Sequence, residues 1–171
     1  MSHTLEVWQR GPLPDITPLL QPVGHALLQA REELELYLTD FPDELLWARP
    51  AGLASVSFHL QHLSGVLDRV FTYARGLGLS ETQFKQLADE DMVFITDFNT
   101  GNLLERFSAQ VDLAMEQLKN TDPETLTAYR GVGRAGLPST VIGLLVHAAE
   151  HTMRHVGQLM VTAAILKNGG L

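Results

Sequence analysis

The sequence predicts an all-α fold, a four-helix bundle, and three observations support that prediction. Four long segments place their apolar residues at the three- and four-residue spacing of one helix face. No alternating apolar and polar stretch of useful length indicates a strand. The connections between the four segments are short or irregular, which is typical of an up-and-down bundle.

The first two segments have recognisable ends. Residues 17–40 form the first, and its regular part is expected to begin at Pro22, because proline is tolerated only near the start of a helix. Residues 55–76 form the second. Its first residue, Ser55, is a predicted N-cap, and its last, Gly76, is a predicted C-cap.

The second half of the chain continues the pattern. A short helix is predicted for residues 80–88, because a capping serine is followed by glutamine three residues later. The third long helix is predicted for residues 102–118. A glycine-rich segment, 125–138, should be irregular, with a strand-like stretch at 126–129. The fourth long helix is predicted for residues 139–167, with its first residue as N-cap.

Composition predicts a single folded domain over residues 1–171. Apolar residues make up 45% of the chain and charged residues 19%, a balance that favours a packed core over disorder. There is no internal repeat or low-complexity linker. The chain has no cysteine, which excludes disulfides, thiolate metal sites and cysteine nucleophiles.

Charge and hydropathy exclude two classes of partner. The net charge is −8 and there is no basic cluster, so we expect no nucleic-acid partner. The most apolar stretch, residues 141–166, contains Glu150, Arg154 and three histidines, so it predicts a buried helix and no membrane partner. The N-terminus lacks the layout of a signal peptide, and we expect a cytoplasmic protein.

Five of the seven histidines fall in two short segments, and this is the most informative feature of the sequence. His59 and His62 lie on the second long helix, and His147, His151 and His155 lie on the fourth. Residues four apart share one helix face, so His151 and His155 can present both imidazoles to one ion. Either histidine of the second helix could supply a third nitrogen.

Three histidines with open positions are the ligand set of a catalytic rather than a structural metal site. All-nitrogen ligation suits zinc, nickel, copper or iron better than magnesium or calcium. The competing interpretation is that the histidines are satisfied core or surface residues without an ion. Two unpaired imidazoles in a buried helix would be costly, which keeps the metal hypothesis open. Helical periodicity slightly favours His59 over His62 as the third ligand.

Two stretches of the sequence resemble a known family. The run SVSFHLQHLSGVLDRVFTYARG and the motif HAAEHTMRHVGQL, with the Trp-Ala-Arg-Pro lead-in at residues 47–50, resemble the DinB-like (YfiT-like) superfamily of metal-dependent proteins. The resemblance extends over nearly the whole chain. It implies an up-down-down-up four-helix bundle with a long crossover connection, in members that are often homodimers.

The resemblance also implies a ligand set and an activity. His62 takes the ligand position of the second helix, in place of His59, and His151 and His155 match the motif of the fourth. His59 and His147 then become candidate catalytic residues, as proton shuttles beside a divalent ion, zinc or nickel. Characterised relatives resemble thiol-dependent transferases, which use a low-molecular-weight thiol, and others resemble hydrolases.

Three functions therefore remain open at this point. The first is a metal-dependent enzyme acting on a small-molecule substrate. The second is a metal-binding or stress-related protein without catalysis. The third is a helical homodimer whose histidines are merely buried, with a second apolar arc of the fourth helix as the interface. In the enzyme, Glu150 is a poor general base because it points about 100° away from His151 on the helix. Arg69 lies on the His62 side and could meet an anionic substrate or form a surface ion pair.

Overall fold

The computed structural model describes residues 5–90 and 98–169. Within these ranges the chain forms five α-helices and one small β-hairpin, so the prediction of an all-α protein is confirmed in its main features. The helices are α1 (Gln21–Tyr37), α2 (Val56–Ala74), α3 (Glu81–Asp89), α4 (Thr100–Lys119) and α5 (Val141–Lys167). The strands are β1 (Tyr129–Val132) and β2 (Leu137–Thr140), which pair antiparallel.

The four long helices enclose one apolar core. Helix α1 packs against α4 and α5, and α2 packs against the same two helices. The apolar stripes that define the helices in the sequence point into this core, where large side chains are fully buried. Among them are Leu27, Leu34, Leu60, Leu67, Phe107 and Leu159.

Helix α2 begins and ends where the sequence predicts. The Ser55 hydroxyl accepts a hydrogen bond from the Phe58 amide and caps the first turn. The Ser57 amide donates to the carbonyl of Leu46, which fixes the start of the helix against the preceding loop. Gly76 follows the last turn with a φ of +80°, a conformation that glycine adopts without strain.

The short helix α3 is attached to α2 by polar contacts. Ser80 and Gln83 form the predicted capping box at its start. The Gln83 side-chain amide also donates to Asp68 Oδ2 and Thr72 Oγ1 of α2, each at 2.9 Å. These bonds hold α3 against α2, and they bring the residue that follows α3, Glu90, to the same helix.

The connection before α5 differs from the prediction. A strand-like stretch was expected at residues 126–129, but β1 begins only at Tyr129 and pairs with β2 in a hairpin. Gly133 and Gly136 have positive φ in the turn, so the glycines that indicate an irregular segment instead build this hairpin. Ser139 belongs to β2, and the Thr140 hydroxyl caps α5 in its place.

Helix α5 is the longest helix and lies at the centre of the packing. Its apolar side chains contact both α1 and α2, and Leu145, Ala148, Val156 and Leu159 are fully buried. In the described part of the chain, α5 included, no helix combines the length and the apolar character that a bilayer crossing requires.

Candidate metal centre

Helices α2 and α5 share an extensive contact, and the histidine cluster lies in it. His59 and His62 face α5 from the first half of α2. His151 and His155 face α2 from the middle of α5. The two pairs meet because the spacings of three and four residues keep each pair on one side of its helix.

Three of these side chains form a compact group. His62, His151 and His155 each offer one ring nitrogen, and the three nitrogens lie within 4.8 Å of one another. The Nε2 atoms of His62 and His151 are 2.9 Å apart. An ion bound about 2.0–2.1 Å from each nitrogen could contact both of these rings. All three rings are half-buried, so the group is reachable from outside.

Glu90 supports His62 from the side away from the cluster. His62 Nδ1 donates to Glu90 Oε2 at 2.8 Å, and Arg69 Nη1 donates to Glu90 Oε1 at 2.6 Å. Glu90 and Arg69 are both buried. The sequence leaves two roles open for Arg69, contact with an anionic substrate or a surface ion pair. The structure places Arg69 in a buried ion pair instead.

His59 contacts the group through His155. Their Nδ1 atoms are 3.0 Å apart, which is hydrogen-bond distance, so one ring donates and the other accepts. His59 is almost fully buried, at 3% exposure. It therefore lies directly behind His155 and outside the three-nitrogen group that contains His62.

The environment favours the neutral form of His59, His151 and His155. Burial, together with a smaller repulsion from His62, lowers the pKa of His59 to about 4. Burial lowers the pKa of His155 to about 4 as well, assisted by the charges of His62, His151 and His59. Burial also lowers the pKa of His151. Neutral imidazoles are the form that binds a metal, so these shifts leave the rings ready to bind near pH 7.

His147 and Glu150 lie at the edge of the cluster. The His147 ring centroid is 5.4 Å from that of His151, and its Nδ1 is 3.6 Å from Glu150 Oε2. Glu150 is paired with Arg154 on the surface, and that hydrogen bond lowers the pKa of its carboxyl group. This pairing, together with its outward position, agrees with the expectation that Glu150 is a poor general base.

The donor set itself fits a cation. A carboxylate only accepts, so His62 carries its proton on Nδ1 and presents a lone pair on Nε2. His151 Nε2 approaches this lone pair, and His151 Nδ1 is buried with no hydrogen-bond partner among residues 5–90 and 98–169. The described part of the protein alone therefore does not satisfy the His151 ring, and the two Nε2 atoms face each other where an ion could lie between them. The residues present are therefore suited to a divalent ion with a preference for nitrogen.

Two cavities lie beside the outer histidines of α2 and α5, although His62, His151 and His155 line neither of them. One, of about 540 Å³, is lined by His59 and Arg154 together with apolar side chains such as Leu53 and Val161. The other, of about 400 Å³, is lined by His147 and Arg69. Each size is in the range of small-molecule sites. Each of the two histidines proposed as catalytic residues, His59 and His147, thus lines a cavity of its own.

Sequence reasoning found the histidines but missed Glu90. Spacing along a helix reveals partners three or four residues apart, whereas Glu90 is 28 residues from His62. A glutamate at the end of a short polar helix carries no periodic signal. Only the packing of α3 on α2 brings it to the site.

The fold and the site together define a class of protein. It is mainly helical, and it gathers three histidines between two core helices. The chain belongs to the DinB superfamily, whose family model matches residues 26–159. The resemblance that the sequence motifs indicate is thereby confirmed. No curated protein matches the chain significantly.

A solved structure supports the fold independently. It is the crystal structure of a protein from Streptococcus pneumoniae determined as a structural genomics target. The two chains are 14% identical, with a TM-score of 0.61, and the alignment covers 87% of this chain and 90% of that one. At this identity the likeness concerns the fold alone.

Proposed function

We propose that the protein is a metal-dependent enzyme that binds one divalent ion, zinc or nickel, through His62, His151 and His155. The observation that carries this proposal is the convergence of three ring nitrogens within 4.8 Å, drawn from two helices. Three protein ligands leave coordination positions open, as catalytic sites require. His59, which periodicity slightly favours, is assigned a supporting role because its Nδ1 faces His155.

The chemistry follows from the neighbours of the three ligands. When bound, the ion supplies Lewis-acid activation of a water or thiol near neutral pH. His59 and His147 are the candidates for moving a proton, since each borders a cavity beside the cluster. Burial, which lowers the pKa of His59 to about 4, keeps its ring neutral at pH 7 but makes it a weak base. His147 is the more exposed of the two and can exchange protons with solvent.

Two substrate types follow from the two cavities and from the family resemblance. A transferase joins two reactants, and cavities of about 540 and 400 Å³ lie beside His59 and His147 respectively. We propose a low-molecular-weight thiol as one reactant and an electrophile with an apolar body as the other. The apolar lining of the larger cavity supports the second assignment. A hydrolase would need only one of these spaces, with water as the other reactant.

An activity comparison tests the proposal. Untagged protein reconstituted with zinc or with nickel is assayed for conjugation of small thiols to electrophiles and for hydrolysis of simple esters. We expect turnover that requires the ion, is lost in His155→Ala and falls strongly in His59→Gln. Glu150→Gln is the matched control and should retain activity, because Glu150 is turned to the surface. Loaded protein that turns over neither substrate type would contradict the enzyme assignment.

We further propose that residues 1–171 form one domain in which α1, α2, α4 and α5 run up-down-down-up. The Lys167 ammonium donates to the carbonyl of Tyr37, which supports a parallel arrangement of α1 and α5. Gln117 near the end of α4 donates to the carbonyl of Phe71 near the end of α2. That contact supports a parallel α2 and α4.

Finally, we propose a homodimer formed through the outer face of α5. Val146, Val161 and Ile165 of this helix are 48%, 60% and 39% exposed. Of these three, only Val146 belongs to the second apolar arc that the sequence predicts, and Val156 of that arc is fully buried in the core. A second copy placed over Val161 would bury apolar surface and close one side of the cavity next to His59.

A further inference from the structure

Helix α2 carries a glycine at a point where a glycine is unfavourable for the helix. Gly65 lies in the helix interior, where it costs about 1 kcal/mol relative to alanine. A Cβ atom at this position would lie 2.5 Å from Arg69 Nη1 and still closer to Glu90 Oε1. The Glu90–Arg69 ion pair therefore lies directly on the backbone of α2, three residues after His62.

We propose that Glu90 is a positioning residue for the metal centre, held in place by Arg69 and given room by Gly65. In this role its carboxylate fixes the orientation of the His62 ring and keeps the proton on Nδ1. The inference rests on the proposed function, because the ring it orients is one of the three proposed ligands. It adds a carboxylate and an arginine to a site that was predicted from histidines alone.

Both oxygens of Glu90 are occupied, and this restrains the carboxylate. Oε2 accepts from His62 Nδ1 at 2.8 Å, while Oε1 accepts from Arg69 Nη1 at 2.6 Å. A carboxylate held at both oxygens cannot turn away from the imidazole. The His62 Nε2 lone pair is consequently aimed at His151 Nε2, 2.9 Å away. A carboxylate behind a ligand histidine also raises the basicity of the ring and strengthens metal binding.

The burial of the pair argues against a purely structural ion pair. Glu90 is 6% exposed and Arg69 is 7% exposed, so both charges lose most of their hydration. A buried pair of this kind is often no more stabilising than two apolar side chains of similar volume. A pair kept for stability alone would also not need the second oxygen to engage His62. The contact with the ring gives the pair a role toward the site.

Zinc affinity tests the positioning role directly. The whole chain is titrated with zinc in competition with a chromophoric chelator. We expect Glu90→Gln to bind zinc 10- to 100-fold more weakly than the unsubstituted protein, the usual loss when such a partner is removed. Glu81→Gln, in the first turn of α3, is the matched control. Because Glu81 is exposed, this variant should bind zinc as tightly as the unsubstituted protein.

A second pair of variants tests whether a loss of zinc affinity could come from a change in helix propensity. Gly65→Ala should favour the helix yet weaken zinc binding, because the new methyl group displaces the carboxylate. Gly157→Ala is the control in α5, where a Cβ would meet nothing within 4 Å, and it should leave the zinc affinity unchanged. Equal affinities in Gly65→Ala and Gly157→Ala would overturn the inference.

The tautomer of His62 provides a readout that needs no metal. Nitrogen-15 NMR of the metal-free protein should show the proton on His62 Nδ1. The double variant Glu90→Leu/Arg69→Met replaces the pair by apolar side chains and is expected to fold, but His62 should then populate both tautomers. An unchanged tautomer together with an unchanged zinc affinity would overturn the positioning role alone. Absence of zinc binding by the unsubstituted protein would instead overturn the proposed function.

Discussion

At the scale of single residues, the site depends on imidazoles that stay neutral inside the protein. His59 is almost fully buried, and its Nδ1 lies 3.0 Å from that of His155. Two protonated rings at this distance would repel each other, and neither would have enough water to compensate. The same burial that prepares the rings for a metal therefore makes them sensitive to acid.

The metal-free protein should lose stability as the pH falls from about 6.5 to about 4. In the unfolded chain a histidine titrates near 6.5, whereas burial lowers the pKa of His59 and of His155 to about 4. In this window the unfolded state binds more protons, so the free energy of unfolding decreases with falling pH. Urea denaturation at a series of pH values measures this slope.

His59→Gln should flatten that slope, because one of the three described histidines with a lowered pKa is gone. Added zinc should stabilise the folded protein above pH 6.5, and the benefit should shrink as the pH falls and protons compete for the rings. A free energy of unfolding that is constant between pH 7 and pH 4.5 would contradict the account of these histidines.

Glu90 also marks the limit of residue-level prediction from sequence. The histidines could be found because helical spacing brings them together, and the resemblance directs attention to His62. The Glu90 contact depends on how α3 lies against α2, and that is decided by tertiary packing. The same holds for Arg69. The sequence predicts that it lies on the His62 side of the helix, but it does not predict that the residue is buried.

At the scale of elements, the short helix α3 forms one wall of the site. It is held at its start by Gln83, which donates to Asp68 and Thr72 of α2. Just beyond its end, Glu90 contacts His62 and Arg69. Its exposed Phe84 and Leu87 show that it buries little apolar surface of its own. Polar contacts at the two ends therefore determine its position.

Gln83→Ala should loosen α3 without unfolding the protein. The substitution removes two buried hydrogen bonds and one half of the capping box, each worth about 1 kcal/mol. Amide hydrogen exchange should become faster in residues 81–89 and remain slow in α2 and α5. Gln86→Ala is the control on the same helix. Equal exchange in the two variants would show that the Gln83 contacts do not hold α3 in place.

The element boundaries show which features sequence patterns resolve. The start of α2 and the capping box of α3 were predicted correctly, since caps depend on a few neighbouring residues. The hairpin before α5 was missed, because its glycines indicate an irregular segment as readily as a tight turn. Because Ser139 belongs to this hairpin, the N-cap of α5 is Thr140 and not the predicted Ser139.

At the scale of the whole molecule, the long helices bury their apolar stripes in one core, and α5 keeps some apolar side chains exposed on its outer face. These are Val146, Val161 and Ile165, and the exposed Glu150–Arg154 ion pair lies between the first two. The helical class could be predicted from periodicity alone. Periodicity could not predict which part of the wide apolar surface of α5 is buried by α1 and α2, because that depends on how the helices cross.

Val161→Arg should shift the protein from dimer to monomer. A charged side chain at position 161 would be buried without a partner in the proposed dimer, which weakens association strongly. Size-exclusion chromatography with light scattering measures the mass. Leu113→Arg on α4 is the control, since Leu113 is also exposed but lies on another helix. A monomeric unsubstituted protein would contradict the proposed dimer.

The central claim is that His62, His151 and His155 share one ion, and anomalous diffraction tests it most directly. Crystals of untagged protein prepared with zinc are measured on both sides of the zinc absorption edge. We predict one anomalous peak per chain, about 2.0–2.1 Å from a ring nitrogen of each of the three histidines. A zinc-loaded crystal with no peak between α2 and α5, or with a peak that one of the three rings does not reach, would contradict the claim.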